Sequence, residues 1–399
     1  MTNLYFIHRF PFTKEAYIRD EFDYFLKLGY NVKYLDVSQF LKKKKLILSY
    51  AQDLEKHVIS FKSKQDFKNF IHKNKKNSLI ISDVGFRLNS AWLYINIFKN
   101  NIPYVLFENA VLPKVDHKSM KLGFIKFLAR FDLKKIYQKP IELLCFYYAN
   151  LIKRPATSII SSKEKVSSSK RPLLGKDTNI KYTASLDFIS ASSVDDNNLI
   201  KEPYAVFIDQ YFIHHPDFKT NHIIHHFTAE QYYGELNQFL NQFSKQTGLK
   251  IVIAAHPRRI NTVNSNFNSD FDLYYNKTAQ LVKYAEVSLI HFSTAINYSV
   301  IYNKPFILLG SDCFSKSSVK EEISAFANFF EVNVLNATKY LNHNIEVESF
   351  KSMNTKDKYT EFFNLFIKSP NAESITFKDA IEDIIQFQEA KSDLNVEII

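Results

Sequence analysis

Lys250-Ile251-Val252-Ile253-Ala254-Ala255-His256-Pro257-Arg258-Arg259 is an apolar run with a polar end. The five apolar residues after Lys250 read as a buried strand. His256, Pro257, Arg258 and Arg259 then arrive together at its carboxyl end. Proline sets the backbone and removes a donor, while histidine and arginine both donate hydrogen bonds to phosphate oxygens. His256, Pro257 and Arg258 are therefore candidates for holding a phosphate. The plainer alternative is a structural histidine beside two solvated arginines.

The alternation of strand and helix continues on both sides. Residues 204–209 read as a strand, 230–246 as a helix, 287–291 as a strand, 294–303 as a helix and 305–309 as a strand. The tail is mostly helical, ending in a helix over 377–390. In the first half, strands are expected at 4–8, 31–37, 79–83, 103–107, 157–162 and 180–184, with helices at 14–28 and 91–98. This order predicts the α/β class, with parallel sheets covered on both faces. The polar stretch 187–203 is the expected linker, dividing a domain over 1–195 from one over 200–375, with a helix and tail over 376–399. Ligands of such sheets lie beyond the carboxyl ends of the strands and in clefts between domains.

Composition narrows the function. Lys and Arg exceed Asp and Glu by 52 − 41 = 11, so acidic partners are favoured. Only 7 of 399 residues are glycine, and neither G-x-G-x-x-G nor G-x-x-x-x-G-K-[ST] occurs. A glycine-cradled dinucleotide enzyme and a P-loop NTPase are thereby disfavoured. Cys145 and Cys313 alone cannot build a cysteine-rich zinc site or a disulfide framework. The N-terminus has no basic region followed by an apolar one, so no signal peptide is expected there. The location expected is cytoplasmic, with a peripheral position on the inner face of the cytoplasmic membrane as the alternative to free solution.

Further candidates stand at strand ends. His291-Phe292-Ser293-Thr294-Ala295 joins a strand to a helix, and Ser293 or Thr294 fits an N-cap or a glycine-free anion site. Asp209 closes the strand 204–209 and suits a general base or a nucleophile, or a turn cap. Asp83, in Ser82-Asp83-Val84-Gly85, and Glu108, in Phe107-Glu108-Asn109, are the corresponding carboxylates of the first half. His214, His215, His222, His225 and His226 crowd one loop without a repeated ligand spacing, and no metal site is expected. Asp270-Phe271-Asp272 matches the short D-x-D metal pattern, which arises easily by chance.

Residues 118–154 differ in character. They hold nine Lys or Arg against Asp132 and Glu142, interleaved with aromatic residues such as Phe124, Phe131, Tyr137, Phe146 and Tyr147. A basic, aromatic amphipathic helix suits an anionic lipid interface, and a surface helix with its aromatic face in the core is the alternative. Nucleic acid is not the expected partner. The nearly apolar run 141–152, of 12 residues, is too short to span a bilayer.

The pair His256-Pro257 and Ser293-Thr294, 37 residues apart, resembles the HP and Ser-Ser/Thr motifs of bacterial sialyltransferases of the GT-B fold. Retaining Kdo transferases of surface polysaccharides are similar in plan, and His291 through Phe306 also resembles UDP-GlcNAc 2-epimerases. The resemblance covers mainly 204–310. It implies two Rossmann-like domains facing a central cleft, the first on the acceptor side and the second binding the nucleotide sugar. It further implies that His256 and Ser293/Thr294 bind the donor phosphate. The acidic motif of the sialyltransferases is two acids then glycine, and Ser82-Asp83-Val84-Gly85 lacks one acid. Asp83, Glu108 and Asp209 thus all stay open as the catalytic carboxylate.

The expected function is a metal-independent glycosyltransferase of capsule or lipopolysaccharide synthesis. It would move an ulosonic acid, Kdo or a sialic-acid relative, from a CMP-sugar to a glycan acceptor, with a lipid-linked acceptor expected. The CMP-sugar is a substrate, so no cofactor is implied. Alternatives are a UDP-hexose transferase of the same fold, a UDP-GlcNAc 2-epimerase-like enzyme, and a basic membrane- or nucleic-acid-binding protein.

Overall fold

The computed structural model describes residues 3–41, 53–108, 138–162, 166–214, 226–257, 259, 266–315, 317–340, 344, 346–349, 351, 356–372 and 376–396. Among these, 3–108, 138–184 and 368–396 form one compact unit and 185–367 the other.

The first unit is built on seven strands: β1 (Asn3–Ile7), β2 (Asn31–Asp36), β3 (Val58–Ser60), β4 (Ser78–Ser82), β5 (Tyr104–Glu108), β6 (Ser158–Ser161) and β7 (Asn179–Tyr182). Their order is β3-β2-β1-β4-β5-β6-β7, and every pairing is parallel. Side chains alternate between two apolar layers, as the strand period of two requires. Tyr5, Ile7, Leu35, Ile80, Tyr104, Leu106 and Ile159 share one layer. Leu4, Phe6, Tyr34, Leu79, Ile81, Val105, Phe107 and Ile160 share the other. Both faces are buried, which is why these strands appear as continuous apolar runs in the sequence.

The helices of this unit are α1 (Lys14–Arg19), α2 (Phe22–Lys27), α3 (Ser38–Leu41), α4 (Lys64–Lys73), α5 (Ala91–Lys99) and α6 (Gln138–Leu151). The single helix expected over 14–28 is broken. Asp20 caps α1 and is fully buried, and Glu21 takes a left-handed conformation at φ 55 before α2 restarts. The Asp20 carboxylate is drawn inward by His8 and Arg19, and the chain turns to deliver it.

The second unit has six strands: β8 (Tyr204–Ile208), β9 (Lys250–Ala255), β10 (Asp272–Tyr275), β11 (Val287–Ile290), β12 (Phe306–Gly310) and β13 (Val334–Asn336). Their order is β10-β9-β8-β11-β12-β13, again parallel throughout. Its helices are α7 (Leu186–Ser192), α8 (Ala229–Thr247), α9 (Thr278–Tyr284), α10 (Ile296–Ile301), α11 (Ser318–Phe330) and α12 (Lys356–Phe362). Thr228 and Gln231 close a capping box at the start of α8, and Gly248 ends it in the left-handed region at φ 70. Asp272 of the D-x-D match lies on edge strand β10, with its carboxylate 2.9 Å from Lys250 Nζ.

Two features differ from the expected division. The polar stretch 187–203, expected as the linker, begins inside α7, which Ser185 caps, and Tyr302 donates a hydrogen bond to the Ala191 carbonyl of that helix. Its polarity belongs to an outward face. The terminal helix, α13 (Phe377–Val396), is part of the first unit. Phe377 packs 4.7 Å from Phe107, Tyr24 donates to Glu382 at 2.8 Å, and Lys181 pairs with Asp383 at 2.9 Å. Without α13, the apolar layer around Phe6, Phe107 and Ile160 would lack a cover.

Phe377→Ala is expected to destabilise the first unit by about 3–5 kcal/mol, the usual loss for a buried phenylalanine. Urea unfolding followed by tryptophan fluorescence reads it through Trp92, the only tryptophan. An unchanged midpoint would mean that α13 does not complete this core.

Candidate functional site

In the second unit, successive connections leave β8 in opposite directions: β9 and β10 lie on one side, and β11 to β13 on the other. The carboxyl ends at such a reversal form the natural ligand crevice of a parallel sheet. Asp209, His256 and His291 each directly follow one of the three adjacent strands β8, β9 and β11.

Asp209 is buried and surrounded by donors. Arg259 Nε donates to its Oδ2 at 2.7 Å, the Tyr211 amide to its Oδ1 at 2.9 Å, and the His256 amide approaches Oδ2 at 3.4 Å. Arg259 is 5% exposed, and its other arm donates to the Tyr233 hydroxyl at 2.7 Å. The guanidinium lies 4.8, 5.6 and 5.0 Å from the ring centres of Tyr211, Tyr233 and Phe267. Burial alone would lower its pKa, but Asp209 outweighs this and the net shift is upward. Both Asp209 oxygens are thus engaged inside the protein, whereas a general base or nucleophile needs an oxygen turned to substrate. Arg259 is no solvated arginine. The sequence shows two adjacent arginines, and only the neighbouring strand end reveals that Arg259 turns inward.

The ion pair shapes the loop that carries His256. The Arg259 amide donates to the His256 carbonyl at 2.8 Å, closing a tight turn through Pro257. The His256 ring is partly exposed and lies nearly parallel to Tyr211, 20° between planes and 6.4 Å between centroids. Tyr211 holds a left-handed conformation at φ 51. A non-glycine residue in that region needs its surroundings to hold it, and here Asp209 and Arg259 do so. Arg258 lies outside the described residues, as do His215, His222 and His225.

Ser293 and Thr294 follow β11 and are partly exposed. Ser293 Oγ accepts the Ala295 amide at 3.2 Å, and the Phe292 amide donates to Gln210 Oε1 at 3.1 Å, tying the β11 end to the β8 end. Helix α10 begins later than expected, with Ala295 as a cap that has no side-chain bond. Neither Ser293 nor Thr294 is therefore its N-cap. His291 is structural: its Nδ1–H donates to the Leu309 carbonyl at 2.7 Å, leaving Nε2 to accept the Tyr232 hydroxyl at 3.0 Å. Burial pushes its pKa down to about 4.

A separate cavity of about 610 Å³ opens beside the start of α8, lined by His226, Gln231, Glu235, Asp312, Cys313 and Ser315 among others. Its two carboxylates make it a poor place for a phosphate. Among the described residues, no group of three or more His, Cys, Asp or Glu side chains is arranged to hold a metal ion.

The first unit repeats the reversal at β1 and β4, and Asp83 directly follows β4. Beside it, directly after β1, is a residue that the sequence reading passed over. His8 is 4% exposed; its Nε2 is 2.7 Å from Asp20 Oδ2, and its Nδ1 lies 3.5 Å from Asp83 Oδ1. Arg19 grips Asp20 through Nε at 2.7 Å and a terminal nitrogen at 2.9 Å. Burial lowers the His8 pKa, but Asp20 leads an opposing attraction and the net shift is upward. Asp83 moves the other way. Burial raises it, yet His8, Arg9 and Lys170 hold it well below the usual carboxylate range. The Arg9 amide donates to Asp83 Oδ1 at 3.0 Å, while Oδ2 has the Arg9 Nε at a looser 3.8 Å. Glu108 ends β5, and both its oxygens receive the Ser167 amide, at 3.2 and 3.0 Å. The only sequence signal for His8 is its place as the last residue of the first expected strand, 4–8.

No family model matches the chain, and no curated protein does. Solved structures do match in shape. The wall teichoic acid polymerase TagF is 12% identical over 98% of this chain and 90% of its own, with a TM-score of 0.52. The glycosyltransferase of kitacinnamycin is 5% identical over 90% and 93%, at 0.51. CalG4, the calicheamicin glycosyltransferase, is 9% identical over the same shares, at 0.50. The chain has the two-domain GT-B fold. At these identities the likeness concerns the fold.

One further carboxyl group reaches helix α10, which follows Ser293 and Thr294. Asp187 on α7 accepts the Asn297 side-chain amide at 2.7 Å, and burial pushes its pKa up to about 6. The folded state then binds this proton more tightly than the unfolded one, whose pKa stays near 3.8. Its contribution is present below pH 3.8 and is lost as pH rises through about 6. Asp187→Asn should therefore raise the melting temperature at pH 7.5 and leave it nearly unchanged at pH 4. Equal effects at both pH values would contradict the assignment. Arg259→Met should destabilise the second unit by about 3–5 kcal/mol, because it strands a buried carboxylate. A chemical-denaturation curve unchanged by Arg259→Met would contradict the buried pair.

Proposed function

We propose that this chain is a glycosyltransferase that uses a nucleotide-activated sugar, its donor phosphate held at the carboxyl ends of β9 and β11. The observation that carries the proposal is the arrangement of His256 and Ser293/Thr294 around the Asp209–Arg259 pair at the sheet reversal of a GT-B fold. His256 and the two hydroxyls supply donors to phosphate oxygens. Arg258 is assigned beside them from its charge alone. Asp209 is a positioning residue, since it shapes the turn that presents His256.

The finer assignment is a CMP-activated ulosonic acid as donor, delivered to a glycan of a bacterial surface polysaccharide. The HP and Ser-Thr motifs support it, by their resemblance to those of sialyltransferases. In the reaction, an acceptor hydroxyl oxygen bonds to the anomeric carbon and the bond from that carbon to the phosphate oxygen breaks. The nucleoside monophosphate leaves with the bonding pair, its charge met by the chain's own donors rather than by a metal.

The hydroxyl proton needs an acceptor on the protein. Of the three carboxylates, Asp83 fits this best. Glu108 is taken up by Ser167, and Asp209 by Arg259 and two amides, whereas among the described residues Asp83 Oδ2 meets the loose contact with Arg9. His8, braced by Asp20 and Arg19, fixes the other side of Asp83. Because Asp83 stays ionised, it accepts the proton only as the new bond forms.

Thermal unfolding in the presence of CMP, CDP, UMP, UDP, ADP and GDP tests the donor. A nucleotide at one hundred times its Kd stabilises the folded state by about 2.7 kcal/mol. The expected result is stabilisation by CMP that His256→Ala removes. Stabilisation by UDP alone would replace the CMP donor with a UDP-sugar, for transfer or for epimerisation. Asp83→Asn should keep the nucleotide response and lower turnover about a hundred- to ten-thousand-fold. Wild-type turnover by Asp83→Asn would remove Asp83 from the mechanism.

A further inference from the structure

Helix α6 is apolar on both sides. Its inward face is regular: Cys145, Phe146, Ala149 and Ile152 pack on the first unit's core, with Phe146 stacked 4.9 Å from Phe86. Its outward face should then be polar, as on any helix that covers a core. Instead Ile141, Leu143, Leu144, Tyr147, Tyr148 and Leu151 are exposed there. Leu144, Tyr147 and Leu151 are 69%, 68% and 68% exposed. Thirteen large apolar residues are exposed among the described residues, and this one helix holds six of them. A contiguous apolar patch of this kind marks an interaction surface.

Charge identifies the partner. Lys153 and Arg154 follow the helix and are exposed, and Lys99 Nζ lies 4.9 Å above the Tyr148 ring. The sequence from 118 to 154 carries nine Lys or Arg against two acids, a net of 9 − 2 = +7. A second copy docking face to face would bring two sets of Lys99, Lys153 and Arg154 together. An anionic bilayer surface instead attracts each basic residue near it and accepts the apolar face below its headgroups. Helix α6 has 14 residues, roughly 21 Å of rise, against a hydrocarbon core of about 30 Å. Among the described residues, no helix is long and apolar enough to cross a membrane. The geometry is that of a helix lying in the interface plane.

We infer that the outward face of α6 docks on an anionic phospholipid surface, with Leu144, Tyr147 and Leu151 as its apolar anchors. This goes beyond the proposed transfer reaction and does not require it, because the test reads binding.

The experiment is co-sedimentation of the full chain with phosphatidylcholine vesicles, with and without phosphatidylglycerol, at low and high salt. The expected result is binding only when phosphatidylglycerol is present, weakened by salt. The double variant Leu144→Gln/Leu151→Gln should bind at least about tenfold more weakly, with an unchanged melting temperature in the absence of lipid. Equal binding to neutral vesicles, or wild-type binding by the variant, would overturn the inference. So would a melting temperature lowered by the variant without any vesicle binding, since the face would then be covered by the chain itself. A concentration-dependent dimer in sedimentation equilibrium, abolished by the same variant, would assign the face to a second copy.

Discussion

The contact between Arg259 Nε and Asp209 Oδ2, 2.7 Å long and almost wholly buried, organises the carboxyl edge of the second unit's sheet. Two charges in so dry a place are costly unless each is well satisfied. Here three aromatic rings flank the guanidinium, and two backbone amides share the carboxylate with it. The pair joins the loop after β9 to the end of β8, and the β8 end is tied in turn to β11 through Gln210 and Phe292. Three strand ends are thereby held in one arrangement, with His256 and Ser293/Thr294 at its rim. A substitution at Asp209 would alter that whole edge, so loss of activity there would not by itself identify a reacting group.

The first unit uses the same plan with the charges distributed differently. His8, Asp20, Arg19 and Asp83 form a connected set at its own sheet reversal, where two carboxylates bracket one imidazole. The carboxylates favour the protonated ring, and the ring with its cationic neighbours favours the ionised Asp83. The result is a fixed negative oxygen at the carboxyl end of β4. The second unit's edge instead presents histidine and hydroxyl groups. The two edges thus carry different chemistry, hydrogen-bond donors suited to a phosphate on one and a carboxylate suited to a proton on the other.

Most strands were legible because both faces of each sheet are buried, so apolar runs such as 251–255 and 205–208 stand out. The edge strands at Val58–Ser60, Asp272–Tyr275 and Val334–Asn336 were not, being three or four residues long and partly exposed. The break at Glu21 and the membership of α13 were also hidden, since each depends on contacts between residues remote in sequence. At the site, position was legible and orientation was not. Asp83, Glu108, Asp209, His256 and Ser293 stand at or just past strand ends, as their sequence context indicates. That Asp209 is consumed by Arg259, that Ser293 caps the Ala295 amide rather than starting the helix, and that His8 sits between two carboxylates all require the folded chain.

The most direct test is a crystal structure of the chain with CMP bound. The account predicts the phosphate within hydrogen-bond distance of the His256 ring and the Ser293 or Thr294 hydroxyl, beside an intact Asp209–Arg259 pair. A phosphate seated elsewhere, for instance against Glu235 and Asp312 in the cavity beside α8, would contradict it.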